Sequence, residues 1–196
     1  MGLQRFLVKL TGVVFSAYSF STVAAASSLN NPKDPTKANS IYDFQAYGIS
    51  GEVVSLSKYK GHVCIIVNVA SECGLTKDNY AQLVEIYDEY SKLKGLKILA
   101  FPCNQFGGQE PGDDAQVCTF ASRYNVKFDM FSKIDVNGGN AHPLWVYLKH
   151  KQGGTFGDFI KWNFTKFIID KNGQPVERHD PTTKPKDLIK SLEKYW

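Results

Sequence analysis

The chain has 196 residues, 43% of them apolar, and a formal net charge of +4. That is enough sequence for one domain with a real core plus an extra segment. The mild charge excludes the dense basic surface of a nucleic-acid binder and favours acidic partners, such as phosphate headgroups, only weakly.

Residues 1–26 stand apart. "MGLQRFLVK" carries Arg5 and Lys9 and no acid, "LTGVVFSAYSFSTV" follows, and "AAASS" offers small residues for cleavage. This is the layout of a secretory signal peptide, with export as the expected destination. Ser16, Ser19, Ser21 and Thr22 dilute the apolar stretch, so a mitochondrial presequence is the alternative. The uninterrupted apolar length falls short of the ~20 residues of a spanning helix. The polar, proline-bearing stretch 27–39 reads as a flexible linker, and the folded domain is expected over 40–196.

Within the domain, "SIYDFQAYGISGEVVSLSKY" reads as two short strands joined through "GISGE". "HVCIIVNVA" is a continuous apolar run, hence a strand covered on both faces. "KDNYAQLVEIYDEYSKL" places Tyr80, Leu83, Val84, Tyr87 and Ser91 on one stripe and predicts an amphipathic helix, ended by Gly95. "LKILAFPC" is a second buried strand. "DDAQVCTFASRY" is a helix capped by Asp113 or Asp114. "FSKIDV" and "FTKFIID" read as strands, with Lys171-Asn172-Gly173 turning the second into "QPVERHD". "AHPLWVYLKHK" and "KDLIKSLEKYW" read as helices. Strand–helix–strand with short connections predicts a right-handed unit with a parallel pair, and the later hairpin adds antiparallel strands. The expected fold is α/β, a mixed central sheet flanked by helices, with its site beyond the carboxyl ends of the parallel strands. Two stretches lie there: "NVASECGLT" and "FPCNQFGGQEPG".

Cys73 in the first stretch immediately precedes the helix opening near Thr76. Unpaired N–H groups and the helix dipole stabilise a thiolate there. Gly74 lets a substrate approach the backbone. A thiolate with access attacks a peroxide O–O bond and becomes a sulfenic acid. The bland alternative is a half-exposed thiol at a strand end, and the Glu72 charge would oppose a thiolate if it pointed the same way. A dithiol of the C-x-x-C kind is not encoded, because the second position is Thr76 in "CGLT".

"NVASECGLT", "ILAFPCNQFGGQEPG", "FDMFSKIDVNG" and "IKWNFTKFIIDKNGQPVERH" together resemble the glutathione peroxidases, the phospholipid-hydroperoxide type in particular. The resemblance runs from Ile41 to the C-terminal helix and implies a thioredoxin-like fold. It implies that Cys73 is the peroxidatic residue and that Gln109, Trp162 and Asn163 complete a catalytic tetrad. Their N–H groups are donors that do not titrate near neutral pH, suited to holding a thiolate and a leaving oxygen. Asn163-Phe164-Thr165 is also a formal glycosylation sequon; a side chain facing the site would stay unmodified.

Many members of this type carry selenocysteine where this chain has Cys73. Cysteine members often use thioredoxin rather than glutathione, with a second cysteine that forms an internal disulfide, so either thiol is an expected reductant. Cys118 lies where the resemblance places that resolving residue, and a disulfide would require its helix to move, since the Cα atoms must come within about 7 Å. Cys64 and Cys103 read as reduced strand thiols. The segment between "HPLWVYL" and "IKWNF" is short, as in the family's monomeric type. An open site would admit lipid hydroperoxides, and Lys77, Lys127, Lys149, Lys151, Lys161 and Lys166 are candidates for peripheral contact with membrane headgroups. No cofactor, metal or nucleic acid is expected: His62, His142, His150 and His179 lack ligand spacing. The expected activity is thiol-dependent reduction of hydrogen peroxide and organic or phospholipid hydroperoxides. Two alternatives are a redox relay that passes a disulfide to a partner with little turnover, and a binding protein that kept the fold and lost the chemistry.

Overall fold

The computed structural model describes residues 28–155 and 157–196. The leader expected over 1–26 lies outside the described residues. The stretch from 28 to 39, expected to be a flexible linker, is fastened to the domain. Asn31 reads the Gln45 backbone on both sides, its Nδ2 donating to Gln45 O (3.1 Å) and its Oδ1 accepting from Gln45 N (2.7 Å). Asp34 caps a 3-10 turn over Pro35–Lys37, and Ala38 is buried behind it. Side-chain amides here supply the order that apolar surface does not.

Strands β1 (Gln45–Tyr47) and β2 (Val53–Ser55) form the expected hairpin. The main sheet has five strands in the order β5-β4-β3-β6-β7. Its centre is the parallel pair β3 (Cys64–Val69) and β4 (Lys97–Pro102), joined by helix α1 (Thr76–Leu93). Strand β5 is only Asp129–Met130, parallel to β4. Strands β6 (Lys166–Ile169) and β7 (Pro175–His179) run antiparallel on the other side. Gly173 turns that hairpin at φ 77, a conformation open to glycine, and a Cβ there would come 2.8 Å from the Tyr42 ring.

The period of two along β3 sorts its side chains between two cores. Cys64 and Ile66 face one, with Phe101, Phe167 and helix α3 (Pro143–Lys151) through Leu144, Trp145 and Leu148. Ile65, Val67 and Val69 face the other, with Tyr80, Leu83 and Ile86 of α1, Ala121 of α2 (Asp114–Ser122) and Leu192 of the short α4 (Ile189–Leu192). Two cores, one on each side, are why β3 contains no exposed residue. The helix expected over the last residues is a 3-10 turn, Pro185–Leu188, leading into that single α turn.

The strand expected at "FSKIDV" is the main local departure. Phe131 and Ile134 still donate to β4 carbonyls, at Ala100 (2.9 Å) and Pro102 (3.0 Å). However, Asp114 Oδ1 takes the Lys133 N–H (2.9 Å) and Gln105 Oε1 takes those of Val136 and Asn137 (2.9 Å each). Side-chain acceptors replace a strand partner, so the segment follows the sheet edge without a ladder.

Candidate active site

Cys73 sits in the loop after β3, 8% exposed, one residue-triplet before α1 begins. Thr76 locks that loop. Its Oγ1 accepts from Cys73 N (3.2 Å) and donates to Ala70 O (2.7 Å), while its own N–H donates to Cys73 O (3.0 Å). The position at which a dithiol motif would hold its second sulfur therefore holds a hydroxyl that fixes the first. Leu75, at the helix cap, contributes no side-chain bond to the first turn, so the dipole end of α1 beside Cys73 carries no capping side chain. Glu72 is exposed.

Gln109 arrives from the loop after β4. Gly107 and Gly108 both adopt positive φ, 66 and 65, which turns the chain back toward Cys73. The Gln109 carbonyl then accepts from Glu72 N (3.0 Å), tying the two loops together one residue from Cys73. Its side-chain Oε1 accepts from Asn163 Nδ2 (3.0 Å). That bond leaves the Gln109 Nε2 donors and the second Asn163 N–H for other partners. Asn163 is fully buried, so the sequon has no room for a glycan. Trp162, its neighbour, is 41% exposed and rests on Phe106, with ring centroids 5.9 Å apart. The structure thus joins Gln109 directly to Asn163, sets Trp162 beside them, and binds the Gln109 loop to that of Cys73.

Cys118 is on the exposed face of α2, next to buried Val117. All four cysteines are free. Cys64 is a core thiol, pushed up to about 12 by burial, and burial likewise raises Cys103. Neither has the thiolate character that peroxide chemistry requires. Between the Cys73 loop and α2 lies a recess of about 290 Å³ lined by Ser71, Glu72, Glu110, Pro111, Gly112, Gln116 and Val117.

Two polar residues of this region have no role in the sequence reading. Glu110 is fully buried; Ser71 Oγ donates to its Oε1 (2.7 Å), and Oε2 has no protein partner. Burial raises its pKa, opposed by the Ser71 bond and by Lys133. Asn68 is fully buried in β3 and bonded to the turn that carries Trp162 and Asn163. A lone amide inside "CIIVNV" was its visible signal.

The headgroup reading of the lysines loses two of its six. Lys166 is fully buried, with Nζ donating to Pro181 O (3.1 Å) and Thr183 O (2.7 Å). Lys149 is half-buried and committed to Val136 O (2.6 Å), whereas Lys127 stays exposed in a surface pair with Asp88 (2.9 Å).

A sheet with a central parallel pair, an antiparallel hairpin and a cysteine at the start of the first long helix defines the thioredoxin-like class. A thioredoxin-family thiol:disulfide interchange protein of Chlorobium tepidum shares the fold, with TM-score 0.58 at 15% identity over 78% of this chain and 92% of that one. The sequence pattern of the glutathione peroxidase family matches residues 41–149, more than half of the chain. The chain is 56% identical over 160 residues to the phospholipid hydroperoxide glutathione peroxidase of Sus scrofa, covering 81% of each protein. The crystal structure of T. cruzi GPX1 superposes with TM-score 0.66 at 41% identity, covering 80% of this chain and 95% of that one. The protein belongs to the glutathione peroxidase family.

Proposed function

We infer that the protein is a thiol-dependent peroxidase that reduces hydroperoxides through Cys73. The Cys73 thiolate attacks one peroxide oxygen; the S–O bond forms as the O–O bond breaks, and the departing alkoxide or hydroxide takes up a proton. The products are a Cys73 sulfenic acid and an alcohol or water. A first thiol condenses with the sulfenic acid, releasing water and leaving a disulfide; a second thiol reduces it. Gln109, Trp162 and Asn163 supply uncharged donors where negative charge develops on the leaving oxygen. The observation that carries this reading is the Asn163–Gln109 amide bond together with the Gln109 O–Glu72 N bond, which link two distant segments to the loop that carries Cys73. Membership of an enzyme family weighs against a relay without turnover.

Phospholipid hydroperoxides are the proposed preferred substrates. The name of the Sus scrofa relative and the exposed Trp162 and Phe159 side chains support this. The proposed reductant is thioredoxin or glutathione. With thioredoxin, Cys118 resolves the sulfenic acid, which requires α2 to leave its Asp113–Gln116 capping box and bring Cys118 across the recess. The enzyme is proposed to act as an exported monomer.

The test is peroxide consumption coupled to each reductant, with hydrogen peroxide and a phospholipid hydroperoxide, for wild type, Cys73→Ser and Cys118→Ser. Wild type turns over and Cys73→Ser does not. Peroxide reduction by Cys73→Ser at the wild-type rate sinks the mechanism. Full thioredoxin-dependent turnover by Cys118→Ser sinks only the resolving role.

A further inference from the structure

Phe164 has φ 66. The left-handed region is costly for a bulky aromatic residue, and such a conformation persists only where its surroundings over-determine it. It lies between Asn163 and Thr165, in the turn that leads into β6. The pairing of β3 with β6 ends at Val67↔Lys166. One step further, where the next pair would be Asn68 and Thr165, the ladder stops and the Asn68 side chain takes over.

Asn68 grips the turn at three points. Its backbone O accepts from Phe164 N at 2.7 Å. Its side-chain Oδ1 accepts from Thr165 N at 3.0 Å. Its Nδ2 donates to Trp162 O at 3.2 Å. Thr165 Oγ1 donates to the same Trp162 carbonyl at 3.2 Å. Asn68 is fully buried, as are Asn163, Phe164 and Thr165, and the Phe164 ring meets Tyr80 edge-on with centroids 6.3 Å apart. Asn68 is also built into β4 on its other side, opposite Phe101, so its position is set by the strand that leads to Cys73.

We propose that Asn68 is a positioning residue for peroxide reduction: from the strand that carries Cys73 it holds the 162–165 turn in its left-handed form and so fixes where Trp162 and Asn163 stand. The role rests on the tetrad reading above. No other side chain in β3 could do this, because the rest of that strand is apolar or a core thiol. The amide is needed in full, since the turn presents one N–H to be accepted and one C=O to be donated to. Asp, Ser and Leu each lack part of that pair.

The test uses Asn68→Asp, which keeps size and Oδ1 but loses the donor toward Trp162 O, with Thr165→Val as a second, milder loosening of the same carbonyl. The readout is the single-turnover rate of Cys73 oxidation by hydrogen peroxide, per folded protein as judged by circular dichroism. Iodoacetamide alkylation of Cys73 is measured in parallel. Asn68→Asp is expected to slow oxidation roughly 10- to 100-fold, as misplacement of catalytic groups by remote changes does, with a smaller fall in alkylation. Thr165→Val should slow it several-fold. In an Asn163→Ala background the Asn68→Asp effect should largely vanish, because the two act through one turn. A residue that merely stabilises the fold would lower the melting temperature and leave the oxidation rate per folded molecule unchanged, and one that acts other than through the turn would slow oxidation by a factor that adds fully to Asn163→Ala. Either of those last two results overturns the proposal. If Asn163→Ala and Trp162→Phe themselves oxidise at the wild-type rate, the tetrad reading has failed; if they are slow while Asn68→Asp is not, only the positioning role has.

Discussion

Lys166 is the group whose burial has the clearest consequence in solution. It lies at the start of β6, directly after the turn that carries Trp162 and Asn163, fully buried, with Nζ donating to Pro181 O and Thr183 O. Two carbonyls are partial compensation for an ammonium taken out of water, and no carboxylate pairs with it among the described residues. Burial lowers its pKa to about 7. Its unfolded value is near 10.5, so between these values the unfolded chain binds the proton more readily than the folded one. Stability contributed by this group is therefore least below pH 7 and rises as pH climbs toward 10.5. At about 1.4 kcal/mol per unit, the gain between pH 7 and pH 9 is roughly 2 kcal/mol, rounded down by half-titration at the lower end. For a domain of this size that is about 4–8 °C in melting temperature. Lys166→Met removes the titration and leaves the two carbonyls without their donor. Calorimetry at several pH values should show wild-type melting temperature gaining on that of Lys166→Met from pH 7 to pH 9. Parallel curves would mean that the ammonium is solvated or paired in a way the buried geometry excludes.

Three further outcomes follow from individual contacts. Burial raises the Glu110 pKa, so its favourable share of stability is complete below about pH 4.5 and is lost as pH rises through the raised value. Glu110→Gln, which keeps the acceptor for Ser71 Oγ, should gain stability relative to wild type on moving from pH 4.5 to pH 8; a difference that does not change with pH refutes this. Thr76→Val removes both hydroxyl bonds that help lock the Cys73 loop, at a cost of about 1–3 kcal/mol by denaturant unfolding and with slower Cys73 oxidation. Wild-type values for both would show that the hydroxyl is idle. Gly173→Ala places a Cβ at positive φ and 2.8 Å from Tyr42, and should lower stability by at least ~1 kcal/mol without touching peroxide turnover per folded molecule.

What could be read from the sequence differs by the distance over which each feature is decided. The β3–α1–β4 unit is settled locally: an apolar run, a 3.6-residue stripe and a second apolar run admit few other arrangements, and the capping box at Asp113–Gln116 announces α2 from four residues. Segment 131–136 carries the same local signal for a strand, yet the Lys133 and Val136 N–H groups go to Asp114 and Gln105, acceptors that no local pattern reveals. The bonds that fasten residue 31 are nonlocal in the same way, since Asn31 is a polar loop residue until Gln45 is known to lie beside it. The site shows both cases at once. Cys73 was visible from its helix start. Gln109, Trp162 and Asn163 were visible only because long motifs resemble a family; on local grounds a tryptophan near a strand reads as core and a glutamine before Glu-Pro as loop.

Asn68 marks where even that help ends. It sits inside a motif, "NVASECGLT", whose meaning was drawn wholly from its cysteine, and in a strand whose apolar character explains every other residue. An unpaired amide in that strand would cost ~1–3 kcal/mol, so its presence already required partners of matching polarity. The end of the β3–β6 ladder supplies them, in a turn whose backbone stays left-handed at a phenylalanine. The requirement was legible in one residue, and the identity of the partners was not, because they lie 94 to 97 residues away. A buried polar residue next to a reactive one is thus a question about distant backbone, and here the answer is the turn that carries Trp162 and Asn163.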